Sequence, residues 1–143
     1  MKRIGTRSEY IDERMQDLMK TYRKNVEECS HLDFKTIYSH VVNTPTYRFW
    51  ISDEAAVQTI SYMLKNNGDL SLVTPNKREM IIELYHRVKE FLKVHPNESL
   101  DEAVFVCIRT PAPKYYITPG TAHVLIHKYQ KAWREKRKQK HLL

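Results

Sequence analysis

A block near residue 44 recurs 66 residues later: Thr44-Pro45 followed by Tyr47-Arg48-Phe49-Trp50-Ile51-Ser52 matches Thr110-Pro111 followed by Pro113-Lys114-Tyr115-Tyr116-Ile117-Thr118. The register continues without a gap, pairing Ala56 with Ala122, Ile60 with Ile126 and Lys65 with Lys131; six of the 24 positions in 42–65 against 108–131 are identical. Self-similarity at one fixed spacing is the signature of a supersecondary unit built twice. The competing reading is convergence, in which two helix-to-helix transitions through Thr-Pro and an aromatic run look alike because the same local physics shapes both.

Helical signals fill both halves. Thr6-Arg7-Ser8-Glu9 is a capping box, and Ile11, Met15, Leu18, Met19, Tyr22 and Val26 follow at helical spacing to about Cys29. Asp33 caps a shorter helix carrying Phe34, Ile37, Tyr38 and Val41, which must stop before Pro45. Ser52 caps a third, with Asp53 and Glu54 at its positive end, Ala56, Ile60 and Met63 inward, and Asn66-Asn67-Gly68 closing it. The second half repeats the order. Thr74 caps a helix with Pro75 at its first position and Met80, Ile81, Leu84, Val88, Phe91 and Leu92 on one face, ended by Pro96. Ser99-Leu100-Asp101-Glu102 opens a short one with Ala103, Val104, Cys107 and Ile108 inward; Thr118-Pro119 opens the last, whose apolar positions run through Ala122, Ile126, Tyr129 and Trp133.

Two segments are too aromatic and branched for polar loops: 47–51 and 114–117. Such runs favour extended backbone, so they either pair as a short two-stranded ribbon or drop their aromatics into a helical core. The expected fold is all-α: a tandem duplication of a three-helix unit, about six helices in all. At 143 residues the chain suits a single compact domain over 1–143, divided into units at 6–68 and 74–135 with a basic C-terminal helix and tail at 128–143. Phe49, Trp50, Tyr115 and Tyr116 are the aromatics expected to fill its core.

Composition narrows the function classes. Two cysteines, Cys29 and Cys107, make no disulfide framework and no metal-ligand spacing, and the opening residues carry no apolar leader. No run is long enough to span a bilayer, so a cytoplasmic protein is expected. No phosphate-binding glycine loop, nucleophile elbow or cofactor fingerprint occurs, and the expectation is a non-enzyme without cofactor or metal. His123 and His127 lie one helical turn apart but lack the glutamate of a zinc-protease helix. Tyr115-Tyr116 beside Lys114 resembles a tyrosine nucleophile, yet its counterpart Phe49-Trp50 has no hydroxyl, so packing is the shared role.

Charge carries the functional reading. Residues 128–143 hold seven of the 24 basic residues and one of the 17 acidic ones, so nearly all of the +7 net charge sits at one end. Lys128, Lys131, Arg134, Lys136, Arg137, Lys138 and Lys140, interleaved with Tyr129 and Trp133, suit a phosphate backbone, and Arg48 and Lys114, at equivalent repeat positions, are further candidates. Alternatives are a solvated helix end, or contact with a membrane surface or acidic protein, for which Trp133, Leu142 and Leu143 would provide apolar anchors. A recognition-helix role for the third helix of each half would use Gln58, Ser61 and Lys65, or His123, His127 and Lys131. However, the connection from Thr44 to Ile51 is longer than the three- or four-residue turn of a helix-turn-helix. The expected function is a small non-catalytic DNA- or RNA-binding protein; the alternative is a helical interaction module or assembly subunit docking its basic tail on an acidic partner, and homo-oligomerisation is left open.

Overall fold

The computed structural model of the chain describes residues 7–28 and 33–141. The side chains of the first capping box, Cys29, the side chains of Phe34 and Lys140, and the terminal Leu142 and Leu143 lie outside the described residues. Among the described residues the fold is all-helical: α1 (Arg7–Glu28), α2 (Phe34–Val42), α3 (Asp53–Lys65), α4 (Arg78–Val94), α5 (Leu100–Ile108) and α6 (Pro119–His141). None of these helices is long and apolar enough to cross a membrane.

Short polar side chains set the boundaries. Asp33 accepts from the Thr36 amide at 2.8 Å, Ser52 from Ala55 at 3.2 Å, Ser99 from Glu102 at 3.1 Å and Thr118 from Thr121 at 3.1 Å, each satisfying an amide that the first helical turn leaves without an internal partner. Thr74 departs from expectation. It makes no side-chain cap, and Pro75 instead starts a 3-10 turn, Pro75–Lys77, that leads into α4. The spacing of the elements is regular: α2 and α5 lie 66 residues apart at both ends, as do the starts of α3 and α6 and the ends of α1 and α4.

The helices group differently from the sequential units 6–68 and 74–135. One compact unit consists of Met1–Thr44 with Ile117–Leu143, and the other of Pro45–Tyr116. In the first, α1, α2 and α6 pack on one another; in the second, α3, α4 and α5 do. Each unit therefore takes two consecutive helices from one half of the sequence and its third helix from the other half. Periodicity identifies the inward face of a helix but not which inward face it meets.

Leu18, Met19, Val41, Ala122 and Ile126 are buried between the helices of the first unit. A row of rings crosses its three helices: Tyr22 stacks on Tyr38 at 5.8 Å, Tyr38 meets His123 at 4.8 Å, and His123 meets His127 at 5.2 Å. In the second unit Ile60, Met63, Ile81, Leu84, Val88 and Ile108 form the centre, each fully buried apolar side chain contributing about 1.5–3 kcal/mol. Cys107 is a small buried member of that core, as its helical position predicts. An ion pair fastens the unit across 56 residues of sequence: the Arg109 guanidinium grips both Asp53 oxygens, at 2.9 and 3.3 Å.

The aromatic segments form no ribbon across 47–51 and 114–117. One antiparallel bridge lies just before them, in which Thr46 and Ala112 exchange amide-to-carbonyl bonds of 3.0 and 2.9 Å, and the Phe49 amide donates to the Ile108 carbonyl at the end of α5 at 2.8 Å. Beyond it the side chains turn inward: Phe49 enters the second unit's core and stacks on Tyr116 at 6.0 Å, while Trp50 and Tyr115 are buried. These aromatic side chains bury large apolar surface. Tyr116 holds a left-handed backbone, φ 59°, which is strained for a bulky side chain and is held by its stack on Phe49 and by Lys114, whose ammonium lies 5.5 Å from the ring.

A candidate nucleic-acid interface on the first unit

α3 and α6 start alike and end differently. α3 stops at Lys65 because Asn67 and Gly68 take left-handed backbone, φ 53° and 81°, and the Gly68 amide donates to the Met63 carbonyl at 2.7 Å. At the equivalent positions α6 has Trp133 and Arg134, and it continues to His141. The inward positions Ala122 and Ile126 are buried, but every side chain from 131 to 139 is exposed. Trp133, on the line of apolar positions, is 46% exposed. The last part of α6 therefore adds charge and one indole to the surface, and nothing to the core.

Helical spacing distributes that charge. Lys128, Lys131, Arg134 and Lys138, three or four residues apart, share one exposed face over roughly 15 Å of helix. Lys136 and Arg137 point to other sides, and the Arg137 guanidinium lies 4.7 Å from the centre of the Trp133 ring. The helix also concentrates cations near its negative dipole end, which supports the helix itself.

α1 completes the site. It places Met19, Tyr22 and Arg23 against Gln130, Trp133 and Arg134 of α6, and the six line a groove of about 580 Å³. Arg23 is exposed and Tyr22 half-buried. Behind the groove, burial and the neighbouring Tyr22 phenol push the Tyr38 phenol up to about 12, so it is a neutral support for the ring row. Tyr22 and Arg23 were not among the residues expected from sequence, since nothing in the chain order joins positions 22 and 23 to 130–134.

The other sequence candidates fall elsewhere. Arg48 is 5% exposed; its Nε donates to the Phe49 carbonyl at 3.0 Å, its Nη2 to the Ile51 carbonyl at 3.2 Å, and its guanidinium lies 5.0 Å from the Trp50 ring. It is a main-chain brace inside the second unit and is not presented to a ligand. Lys114 is half-buried and paired with Glu79. Gln58 and Lys65 are exposed on α3, and Ser61 is half-buried there. His123 and His127 take part in the ring row, and no group of three or more metal-ligating side chains occurs among the described residues. Tyr115 is buried, and burial with the nearby Glu83 and Glu79 charges raises the Tyr116 phenol, the opposite of an activated nucleophile. Burial likewise raises the Cys107 thiol and keeps it protonated.

The second unit has its own groove, between α4 and α5, of about 490 Å³, with a mainly apolar surface lined by Phe91, Val94 and Val106 together with His86, Arg87, Glu90 and His95. Residues 66 positions earlier are Asn25, Glu28 and His40 in place of Phe91, Val94 and Val106, so the first unit is polar where the second is apolar. Compared with models of protein families, with curated proteins and with solved structures, the chain matches none.

Proposed function

We propose that the chain is a small, non-catalytic nucleic-acid-binding protein of the cytoplasm that grips the phosphate backbone through α6. One observation carries this reading: α6 runs beyond the length at which its counterpart α3 stops, and the added stretch is cationic, with every side chain from 132 to 139 exposed. Core packing does not call for such an extension, and its charge matches a polyanion. Neutralising phosphates with lysine and arginine releases condensed counterions, which makes binding fall steeply with salt. Lys128, Lys131, Arg134, Lys136, Arg137, Lys138 and Lys140 are the proposed contacts. Arg48 and Lys114 are not among them, because both have internal partners.

The architecture is read, as part of the same proposal, as a tandem duplication whose two copies exchanged third helices. The equal 66-residue offsets of helix bounds and of the caps Asp33/Ser99 and Ser52/Thr118 support it.

The test is fluorescence anisotropy with labelled DNA and RNA across a salt series, comparing the chain with its Lys131→Gln/Arg134→Gln/Lys138→Gln variant. Each lost phosphate contact should reduce the slope of log affinity against log salt by about 0.7–0.9. Absence of binding by the intact chain at low salt would refute the proposal. A second reading, an interaction module whose cationic helix docks on an acidic protein, is favoured by the apolar α4–α5 groove, which offers a seat for a partner side chain. That mode would show a weaker salt dependence than phosphate binding and would be lost on substituting Val94 or Val106.

A further inference from the structure

We infer that the groove between α1 and α6 receives an unpaired base, so that the ligand class is single-stranded nucleic acid; this rests on the phosphate-binding reading of α6. Cations alone would serve a duplex and a single strand alike. The groove contains more than cations. Trp133 is 46% exposed at its edge, with Arg137 4.7 Å from the ring centre; Tyr22 and Met19 line it; Arg23 and Arg134 stand on its two helices, and Gln130 supplies an amide.

An exposed indole flanked by arginines, with a half-buried tyrosine beside it, supplies the elements of a stacking platform, on which any base offers a π face. In a duplex those faces are stacked on one another and unavailable unless a base is flipped out. Trp133 would then have nothing to stack on, and only the outer stripe of α6 would engage. In a single strand one base lies on the indole, its flanking phosphates meet Arg23 on α1 and Arg134 and Arg137 on α6, and the Gln130 amide faces the base edge.

The arrangement is asymmetric between the halves. The residues equivalent to Trp133 and Arg134 are Asn67 and Gly68, which end α3, so the second unit has no counterpart of this platform.

The experiment measures the full-length chain and its Trp133→Ala, Trp133→Phe and Arg23→Gln variants against a labelled dT20 strand, a U20 strand and a 20-base-pair duplex at one fixed salt. Circular dichroism checks that each variant is folded; Arg23 and Trp133 lie outside the buried core, and the Arg23 variant keeps the test open should Trp133→Ala disturb α6. The expected result is at least tenfold tighter binding of the single strands than of the duplex. Trp133→Ala should abolish that preference with duplex binding unchanged, Trp133→Phe should largely restore it, and Arg23→Gln should weaken single strands selectively. Equal affinity for strands and duplex, with all variants affecting both alike, would overturn the inference and leave the phosphate reading standing. No binding of any probe at low salt would overturn both.

Discussion

Replacing Arg48 with methionine separates the two roles that its sequence position allows. The side chain is 5% exposed, donates to two main-chain carbonyls at 3.0 and 3.2 Å, and lies 5.0 Å from the Trp50 ring. Hydrogen bonds from a charged donor contribute roughly 1.5–3 kcal/mol each, and a desolvated cation–π contact adds up to about 2 kcal/mol. Methionine keeps most of the apolar volume and removes the cost of holding a guanidinium away from water, which offsets part of the loss. The expected net destabilisation is about 3 kcal/mol, a large fraction of the roughly 5–15 kcal/mol by which domains are stable. Urea denaturation followed by circular dichroism measures it, read at unchanged m so that the difference reports stability alone. The same variant should show an unaltered salt slope with any nucleic acid that binds. A loss below about 1 kcal/mol together with a shallower salt slope would refute the reasoning and return Arg48 to the ligand surface.

Other outcomes follow from the same geometry. Gly68→Ala, at φ 81°, should lower stability by about 1–2 kcal/mol even though its new methyl would have room 3.6 Å from the Tyr85 ring, and thermal denaturation reads the difference. Folded Tyr38 keeps its proton to about 12 whereas an unfolded tyrosine releases it near 10; its contribution is thus present below pH 10 and lost as pH rises through 12, and Tyr38→Phe should flatten that alkaline decline in denaturation midpoints. Asp53→Asn weakens the two-pronged contact with Arg109, whose side chains are partly screened by solvent, and should cost roughly 1 kcal/mol; a double-mutant cycle with Arg109→Gln should return a coupling energy of about 0.5–1 kcal/mol.

Local structure was legible in the chain. Asp33, Ser52, Ser99 and Thr118 announce helix starts through their chemistry, Asn67 and Gly68 announce a stop, and the inward faces of α3, α4 and α5 follow from spacing. Pairing between distant helices was not legible, because an apolar face is the same whichever partner covers it. That one ambiguity hid the packing of α6 on α1 and α2, and with it the groove, since Tyr22 and Arg23 reach Trp133 only when α1 packs on α6. The charged stripe of α6 needed only composition to be seen. Arg48 was ambiguous for another reason: an arginine beside aromatics serves equally well as a buried brace or a ligand contact, and burial decides.

The Thr46–Ala112 bridge bears on the order in which the chain can fold. The second unit is continuous in sequence, whereas the first needs α6 to return to α1 and α2 across residues 45–116. Closing that span as a flexible loop costs roughly 4 kcal/mol of chain entropy, against roughly 2 kcal/mol for a loop of several residues. Once the second unit has formed, its entering and leaving segments are joined at 3.0 and 2.9 Å by that bridge, and the effective loop is the short one. Formation of the continuous unit thus roughly halves the chain-entropy cost of bringing α6 back to α1, and the surface between those two helices inherits that saving from a bridge that lies wholly inside the other unit.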